Sequence, residues 1–403
     1  MRIVISSSTY APAMNGQAVF TTNLAEGLAK LSHQVMLIID SRHGKASISY
    51  VNDVQFAELR SISLERFRQG VNFAPFPKQE IRRLFKTFQP DIVHIQDHYP
   101  SCRGVASVAL ENQIKLVGSN HYIPENLAPY IPLYSPLKPI INWFLWQWML
   151  DLYKHMDVVT AQSSAAASIL RQVGLKMPIL PISCGIDTQE FSPNPNINRK
   201  AMCQSYGLDP NKIIFLFLGR IDGEKRVDLL LRAMQRLDRN DIQLAIAGHG
   251  SVEKRMKKMV QKMKLQDRVK FTGFISSENK PGLLNSVDIF IMPSEAELLS
   301  ISTLEAMACG RPVLVANALA LPELVHEGEN GFLFIPGDVN DLTERMIAIT
   351  DKPHSWVEMG VASREIALQH DLEKIIHKYE GLYSKVICDS PVTEMNQKLK
   401  EIA

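Results

Sequence analysis

The chain lacks an excess of either charge, a paired set of cysteines, a signal-like N-terminus and any apolar run long enough to span a bilayer. Each absence excludes something. With 44 Lys and Arg against 42 Asp and Glu, the net charge of +2 gives no strong field toward nucleic acid. Cys102, Cys184, Cys203, Cys309 and Cys388 are odd in number, scattered and never arranged as Cys-x-x-Cys. That excludes a disulfide framework and fits reduced thiols in the cytoplasm. The opening MRIVISSSTYAP has one basic residue and a short apolar core, so secretion is not expected. The first glycine-bearing loop has Gly16 alone where a dinucleotide fingerprint would have three spaced glycines. No Asp-x-Asp pair offers a divalent cation its ligands, so a bound metal is not expected.

What is present is an ordinary globular composition, 46% hydrophobic and 21% charged, over 403 residues. That length exceeds what one hydrophobic core usually serves, so two domains are expected. Arg2–Ser6 reads as a buried strand, 18–31 as a helix and 34–39 as the next strand, a βαβ opening whose loop carries Gly16. Gly16 is either a turn residue or a point where backbone approaches a phosphate. Residues 41–77 are mixed, with an antiparallel or loop excursion. Lys78–Phe88 reads as a basic amphipathic helix with Lys78, Arg82, Arg83 and Lys86 beside its apolar positions, a solvated face or a membrane-surface face.

Strands at 91–95 and 115–118 run into Gln96-Asp97-His98 and Asn120-His121. Ligands of open parallel sheets bind at the carboxyl ends of strands, so Asp97, His98, Asn120 and His121 fall on the substrate side, as structural or as functional groups. Segment 138–150, KPIINWFLWQWML, holds three of the four tryptophans. It is too short to cross a membrane. Trp143, Trp146 and Trp148 do not share one helical face, so the segment is a core helix with some exposed indoles or an interfacial segment contacting lipid.

The Pro- and Asn-rich GIDTQEFSPNPN reads as a linker, and a second strand-helix series follows it. Arg220 and Lys225 leave its first strand in GRIDGEKR, as an exposed basic loop or as a forked cation and a point charge for a pyrophosphate. Gly248 and Gly250, in IAGHGS, follow a strand and permit close backbone approach to a nucleotide. Pro293 to Val313, PSEAELLSISTLEAMACGRPV, reads as loop then helix after an apolar strand, with Glu297 in the loop and Glu305 in the helix. A helix N-terminus between two carboxylates can seat a phosphate between groups that accept hydrogen bonds from hydroxyls. A nucleotide sugar presents sugar hydroxyls, pyrophosphate and ribose hydroxyls in that order.

The ordered set GRIDGEK, IAGHG, FTGFI, PSEAELLSISTLEAMACGRPV and PELVHEGENGFLF resembles the family 4 retaining glycosyltransferases across nearly the whole chain. The resemblance implies an α/β GT-B fold of two Rossmann-like domains facing a central cleft. The acceptor domain would be residues 1–184 rejoined by a helix at 372–388, the donor domain 185–371, and 389–403 a polar tail. It implies that Arg220 and Lys225 neutralise the donor pyrophosphate, Glu297 holds the transferred sugar and Glu305 the ribose. His121 would contact the sugar near its anomeric centre, Gly16 would face phosphate, Gly248 would belong to the donor site, and Phe274 and Ile275 would line the base. Leu299, Ser300, Ile301 and Thr303 would complete the donor site. Gln17 after Gly16, Leu299-Ser300 where the family has Phe-Gly, and Cys184 before Gly185 depart from the family pattern, but no charged group of the motif is missing.

The resemblance implies retention, the missing Asp-x-Asp pair a metal-independent reaction, and the expected donor is a UDP- or GDP-hexose bound as substrate, with no cofactor. HIQDH together with NHYIPENL resembles the branch that glycosylates diacylglycerol or glycosyl-diacylglycerol. On that resemblance Asp97, His98, Asn120, Trp143 and Trp146 are acceptor-side candidates. The partners implied are a nucleotide sugar, a lipid acceptor and an anionic membrane surface, with the protein peripheral on the cytoplasmic face. A soluble or polysaccharide-precursor acceptor, or a non-catalytic nucleotide-sugar-binding protein, are the rival readings.

Overall fold

The computed structural model describes residues 1–10, 16–63, 72–75, 77–124 and 134–388. The loop residues at 11–15, part of the 41–77 excursion, the PENL stretch from 125 onward and the tail at 389–403 lie outside the described residues. The chain divides into two compact units, residues 1–184 with the helix from 372, and Gly185–Asp371.

In the first unit the order is β1 (Arg2–Ser6), α1 (Gly16–Lys30), β2 (Gln34–Asp40), β3 (Ser47–Val51), β4 (Val54–Leu59), β5 (Ile62–Ser63), β6 (Asn72–Phe73), α2 (Lys78–Phe88), β7 (Ile92–Ile95) and α3 (Pro100–Glu111). It continues with β8 (Lys115–Asn120), α4 (Tyr134–Tyr153), β9 (Val158–Ala161), α5 (Ser164–Gln172) and β10 (Ile179–Pro181). The main sheet runs β10-β9-β8-β7-β1-β2-β4-β3 and is parallel except for β3. The mixed stretch after Ser41 thus contains an antiparallel pair, β3 with β4, at the sheet edge. The central strands β1, β7 and β8 are buried almost throughout, which is why they read as unbroken apolar runs instead of alternating ones.

The second unit contains α6 (Arg199–Ser205), β11 (Ile213–Leu218), α7 (Val227–Arg236), β12 (Ile242–Ala247), α8 (Glu253–Lys262), β13 (Val269–Gly273), α9 (Lys280–Asn285) and β14 (Ile289–Met292). It closes with α10 (Ile301–Ala308), β15 (Val313–Ala316), β16 (Gly331–Phe334), α11 (Val339–Thr350) and α12 (Trp356–Gln369). Its sheet is wholly parallel in the order β13-β12-β11-β14-β15-β16. The fold is α/β with two Rossmann-like parallel sheets.

The last helix, α13 (Leu372–Ile387), belongs to the first unit. Its Ile376 fills the space that a side chain at Gly27 of α1 would need. Tyr383 and Tyr379, both buried, enter a polar chain under the sheet: Tyr383 OH meets His94 Nδ1 at 2.7 Å, His94 Nε2 meets Ser119 Oγ at 2.8 Å, and Ser119 Oγ meets Thr160 Oγ1 at 2.6 Å. Tyr379 OH lies 3.1 Å from Thr160 Oγ1. Burial pushes the His94 imidazole down to about 3, so it sits in this chain neutral.

Candidate active site

Each sheet has one place where successive connections leave in opposite directions, and ligands of such sheets bind there. In the second unit it lies between β11 and β14. The loop after β11 carries Arg220 and, in a 3-10 turn at Gly223–Lys225, Lys225; the loop after β14 carries Glu297. Lys225 Nζ donates to Glu297 Oε1, both side chains largely buried at 16% and 9% exposure. Two groups singled out in separate motifs therefore form one ion pair at the switch point. Arg220 donates to Asp222 and, at 2.9 Å, to Glu224, so its fork is oriented by neighbouring carboxylates. Arg226, in the left-handed region at φ 50°, turns outward to Glu295.

The loop after β12 packs closely against the loop after β11. A Cβ at Gly248, whose φ is +127°, would lie 2.0 Å from the Gly219 carbonyl oxygen, and one at Gly250 would lie 2.3 Å from the Ile221 carbonyl. The space those glycines leave is filled by the protein's own Gly219–Ile221 backbone. Ser251 completes the join, donating from its N and Oγ to Asp222 Oδ1 at 2.8 and 2.7 Å. These glycines, singled out as permitting close backbone approach to a nucleotide, shape the Arg220–Lys225 loop.

At the end of β13, Ile275 is buried and Phe274 is 51% exposed. Ser300 precedes α10 in an extended conformation with its side chain engaged by Thr303 Oγ1 at 2.7 Å, not by a backbone N–H of the helix. The helix N-terminus is thus not capped by the Ser300 side chain. Leu299, Ser300 and Thr303 are buried and Ile301 is partly exposed. Glu305, inside α10 and 5% exposed, accepts from Lys280 Nζ at 2.6 Å. Burial raises its carboxyl, and Lys280 opposes the rise.

In the first unit the corresponding place lies between β1 and β7. Asp97, after β7, accepts on Oδ2 from Ser8 N at 2.6 Å, Ser8 Oγ at 2.7 Å and Gln17 Nε2 at 3.0 Å, and on Oδ1 from Tyr99 N at 3.0 Å. Asp97, singled out as an acceptor-side candidate, ties the two strand-end loops together. Gln17, noted only as a departure beside Gly16, is its partner and also reaches Ser7 Oγ at 3.2 Å. Gly16 opens α1. Asn120 is buried and accepts from Tyr122 N at 3.2 Å, holding the turn after β8.

His121 meets Gln96 Oε1 through Nε2 at 2.8 Å and the Gln162 amide nitrogen through Nδ1. An amide oxygen on one side and an amide donor on the other specify the neutral Nε2–H tautomer. Burial agrees, pushing the ring down to about 4. His98 is buried between Tyr99 and Tyr122, its Nδ1 without a partner among the described residues. Sequence reasoning missed Asp40 at the end of β2, whose Oδ1 is buried and has no partner among the described residues. Burial first and the Asp97 charge second raise Asp40 to about 7, against the hydrogen bond from Ser101.

The tryptophan segment is part of α4. Leu137, Ile140, Trp143, Phe144 and Trp148 are 45, 65, 60, 65 and 45% exposed, and Trp146 is partly exposed. The apolar ridge faces outward. On α2, Glu111 of α3 engages Arg82 at 2.9 Å and Lys78 at 3.8 Å, and among the described residues no ion-pair partner reaches its exposed cations Arg83 and Lys86. Among the described residues no helix is long and apolar enough to cross a membrane.

Residues 14–190 match the family described as Glycosyltransferase Family 4, and residues 198–365 match Glycosyl transferases group 1. A sulfoquinovosyl transferase of Arabidopsis thaliana is 28% identical over 70% of this chain and 54% of its own length, so the chain spans about half of that relative. An alpha-monoglucosyldiacylglycerol synthase of Streptococcus pneumoniae is 25% identical over 83% of this chain and 75% of its own. An N-acetyl-alpha-D-glucosaminyl L-malate synthase of Bacillus anthracis is 24% identical over 96% and 98%. Among solved structures, sucrose-phosphate synthase of Thermosynechococcus elongatus covers 96% of this chain and 99% of its own with a TM-score of 0.79 at 20% identity. An Anabaena protein in complex with UDP covers 96% and 100% at a TM-score of 0.75 and 18% identity. With both halves of the chain matched and the two-sheet fold shared, the protein belongs to the family 4 glycosyltransferases of GT-B fold.

Proposed function

We propose that this glycosyltransferase moves a hexose, with retention, from a UDP- or GDP-hexose to the hydroxyl of diacylglycerol or a glycosyl-diacylglycerol at the cytoplasmic membrane surface. On the donor side, the Lys225–Glu297 pair at the β11/β14 switch point carries the reading. A departing nucleoside diphosphate concentrates negative charge, and preoriented cations in a largely dry site stabilise it far better than in water. Lys225, already held by Glu297, and Arg220, aligned by Asp222 and Glu224, are the cations for that task. Glu297 accepts from hydroxyls of the sugar and Glu305 from those of the ribose.

As the bond from C1 to the phosphate oxygen breaks, the acceptor oxygen bonds C1 from the same face and its proton passes to the departing phosphate. No Asp-x-Asp pair is needed in this scheme, and the protein's own cations take the leaving-group charge.

On the acceptor side, the exposed ridge Leu137, Ile140, Trp143, Phe144 and Trp148 supports a lipid substrate. An outward row of large apolar groups containing indoles suits the boundary between headgroups and acyl chains. The Streptococcus relative is named for a glycolipid product, a monoglucosyldiacylglycerol. A soluble acceptor is the second reading, favoured by the Bacillus relative, which aligns over nearly its whole length and is named for a malate product.

The test is transfer by purified protein from a panel of nucleotide sugars to diacylglycerol in mixed micelles and to L-malate, with and without chelator, beside Glu297→Ala. A lipid product that survives chelation and disappears in the variant is expected. Product on malate alone would replace the lipid reading by the soluble one, and donor binding without turnover on any acceptor would indicate a non-catalytic binding protein.

A further inference from the structure

Lys280 stands where helix electrostatics disfavours it. It is the first residue of α9, and an N-terminal turn repels a cation. Its ammonium instead leaves the helix to reach Glu305 Oε1 at 2.6 Å and lies 5.3 Å from the ring centroid of buried Phe191. Both side chains of the pair are shielded, Lys280 at 25% and Glu305 at 7% exposure. α9 follows the segment Phe274–Ile275 at the end of β13, so this one stretch supplies both the base-side residues and the cation on Glu305.

A carboxylate that accepts from ribose hydroxyls must be ionised, and a carboxyl buried this deeply resists ionisation. The other groups facing it do not help. Glu190, from the linker itself, repels the charge on Glu305. At the end of the same helix Cys309, pushed up to about 12 by burial against the opposing charges of Arg311 and Arg364, stays a neutral thiol. Lys280 is the cation that lowers Glu305.

We propose that Lys280 is a positioning residue of the donor site: paired with Glu305 and seated over Phe191, it holds the buried carboxylate ionised and fixed for the ribose hydroxyls of the nucleotide. The inference rests on the placement of Glu305 in the donor site proposed above. It requires no contact between Lys280 and the ligand.

The test uses UDP and GDP binding to the full chain by calorimetry at several pH values, together with the titration of Glu305 followed by carbon-13 NMR of glutamate-labelled protein, the signal assigned with Glu305→Gln. In Lys280→Met the Glu305 midpoint should move to higher pH. Nucleotide affinity should fall about tenfold near pH 6 and recover to within about twofold near pH 8.5, as loss of one charge-assisted acceptor predicts. Lys280→Arg should restore both. A Lys280→Met loss that is equal at all pH values, or an unmoved Glu305 titration, would overturn the inference. Glu305→Gln binding both nucleotides as tightly as wild type would instead overturn the donor-site placement of Glu305, and with it the role for Lys280, even if the titration moved as expected.

Discussion

The guanidinium of Arg103 lies over the indole of Trp148, 3.9 Å from the ring centroid, while that indole donates from Nε1 to the His98 carbonyl at 3.3 Å. Arg103 also donates to the same carbonyl at 3.3 Å and to Asp151 at 3.1 Å. The apolar ridge of α4 is thereby fastened to the strand end that carries His98. Replacing Arg103 by Ala removes a cation–π contact and several hydrogen bonds, a loss of about 2 kcal/mol. A lowered denaturant midpoint, with faster amide exchange in α4, is the expected observation; unchanged exchange there would show that the fastening contributes nothing.

The ridge itself makes a separate prediction. Ile140→Ser with Phe144→Ser removes two of its most exposed apolar side chains without opening a cavity. Binding to anionic vesicles should weaken by about tenfold or more, while UDP affinity stays as in wild type. Vesicle binding as tight as wild type would remove the ridge from the membrane contact.

At the donor switch point, Lys225→Ala or Glu297→Gln should each reduce transfer by about a hundredfold or more with the fold intact by circular dichroism. Because each residue holds the other, the double variant should be little worse than the singles. Multiplicative losses would mean that the two act independently.

Asp40 carries a pH signature. Folded, its carboxyl titrates at about 7, against an ordinary 3.8. Between those values the folded chain keeps a proton that the unfolded chain releases. The group's favourable contribution is therefore complete below the ordinary value and is lost as pH rises through about 7. Asp40→Asn should flatten that dependence and stabilise the protein at pH 8 relative to wild type, by up to about 4 kcal/mol if the whole shift is expressed. Urea midpoints of the two proteins at pH 5 and pH 8 decide it.

Gly248→Ala places a methyl group against the Gly219 carbonyl in a backbone conformation that L-residues rarely adopt. A cost of about 2–4 kcal/mol is expected, with nucleotide affinity falling as the Arg220–Lys225 loop shifts. Full stability in the variant would show that the two loops can separate freely.

The two sheets were legible because their central strands are buried on both faces and read as compact apolar runs, as at Ile213–Leu218 and Ile289–Met292. Carboxylates and cations at strand ends were legible for the same reason, since strand ends locate the binding edge of a parallel sheet. The pairings were not. Lys225 and Glu297 are 72 positions apart, and Lys280 and Glu305 are 25 apart. No local pattern announces either contact. Asp97 read as a substrate-facing acid because its four donors come from Ser8, Gln17 and Tyr99, scattered along the chain. Gly248 and Gly250 read as a nucleotide loop because a missing side chain signals close approach without saying of what.

The placement of α13 bears on how the protein is made. The sheet that begins at Arg2 keeps its His94 and Ser119 hydroxyl-binding partners waiting until Tyr379 and Tyr383 have been synthesised, whereas the unit from Gly185 to Asp371 is complete in sequence before them. On the ribosome the later unit can therefore reach its native state first, and the earlier one must wait, exposing the Gly27 face of α1, for the final helix to emerge.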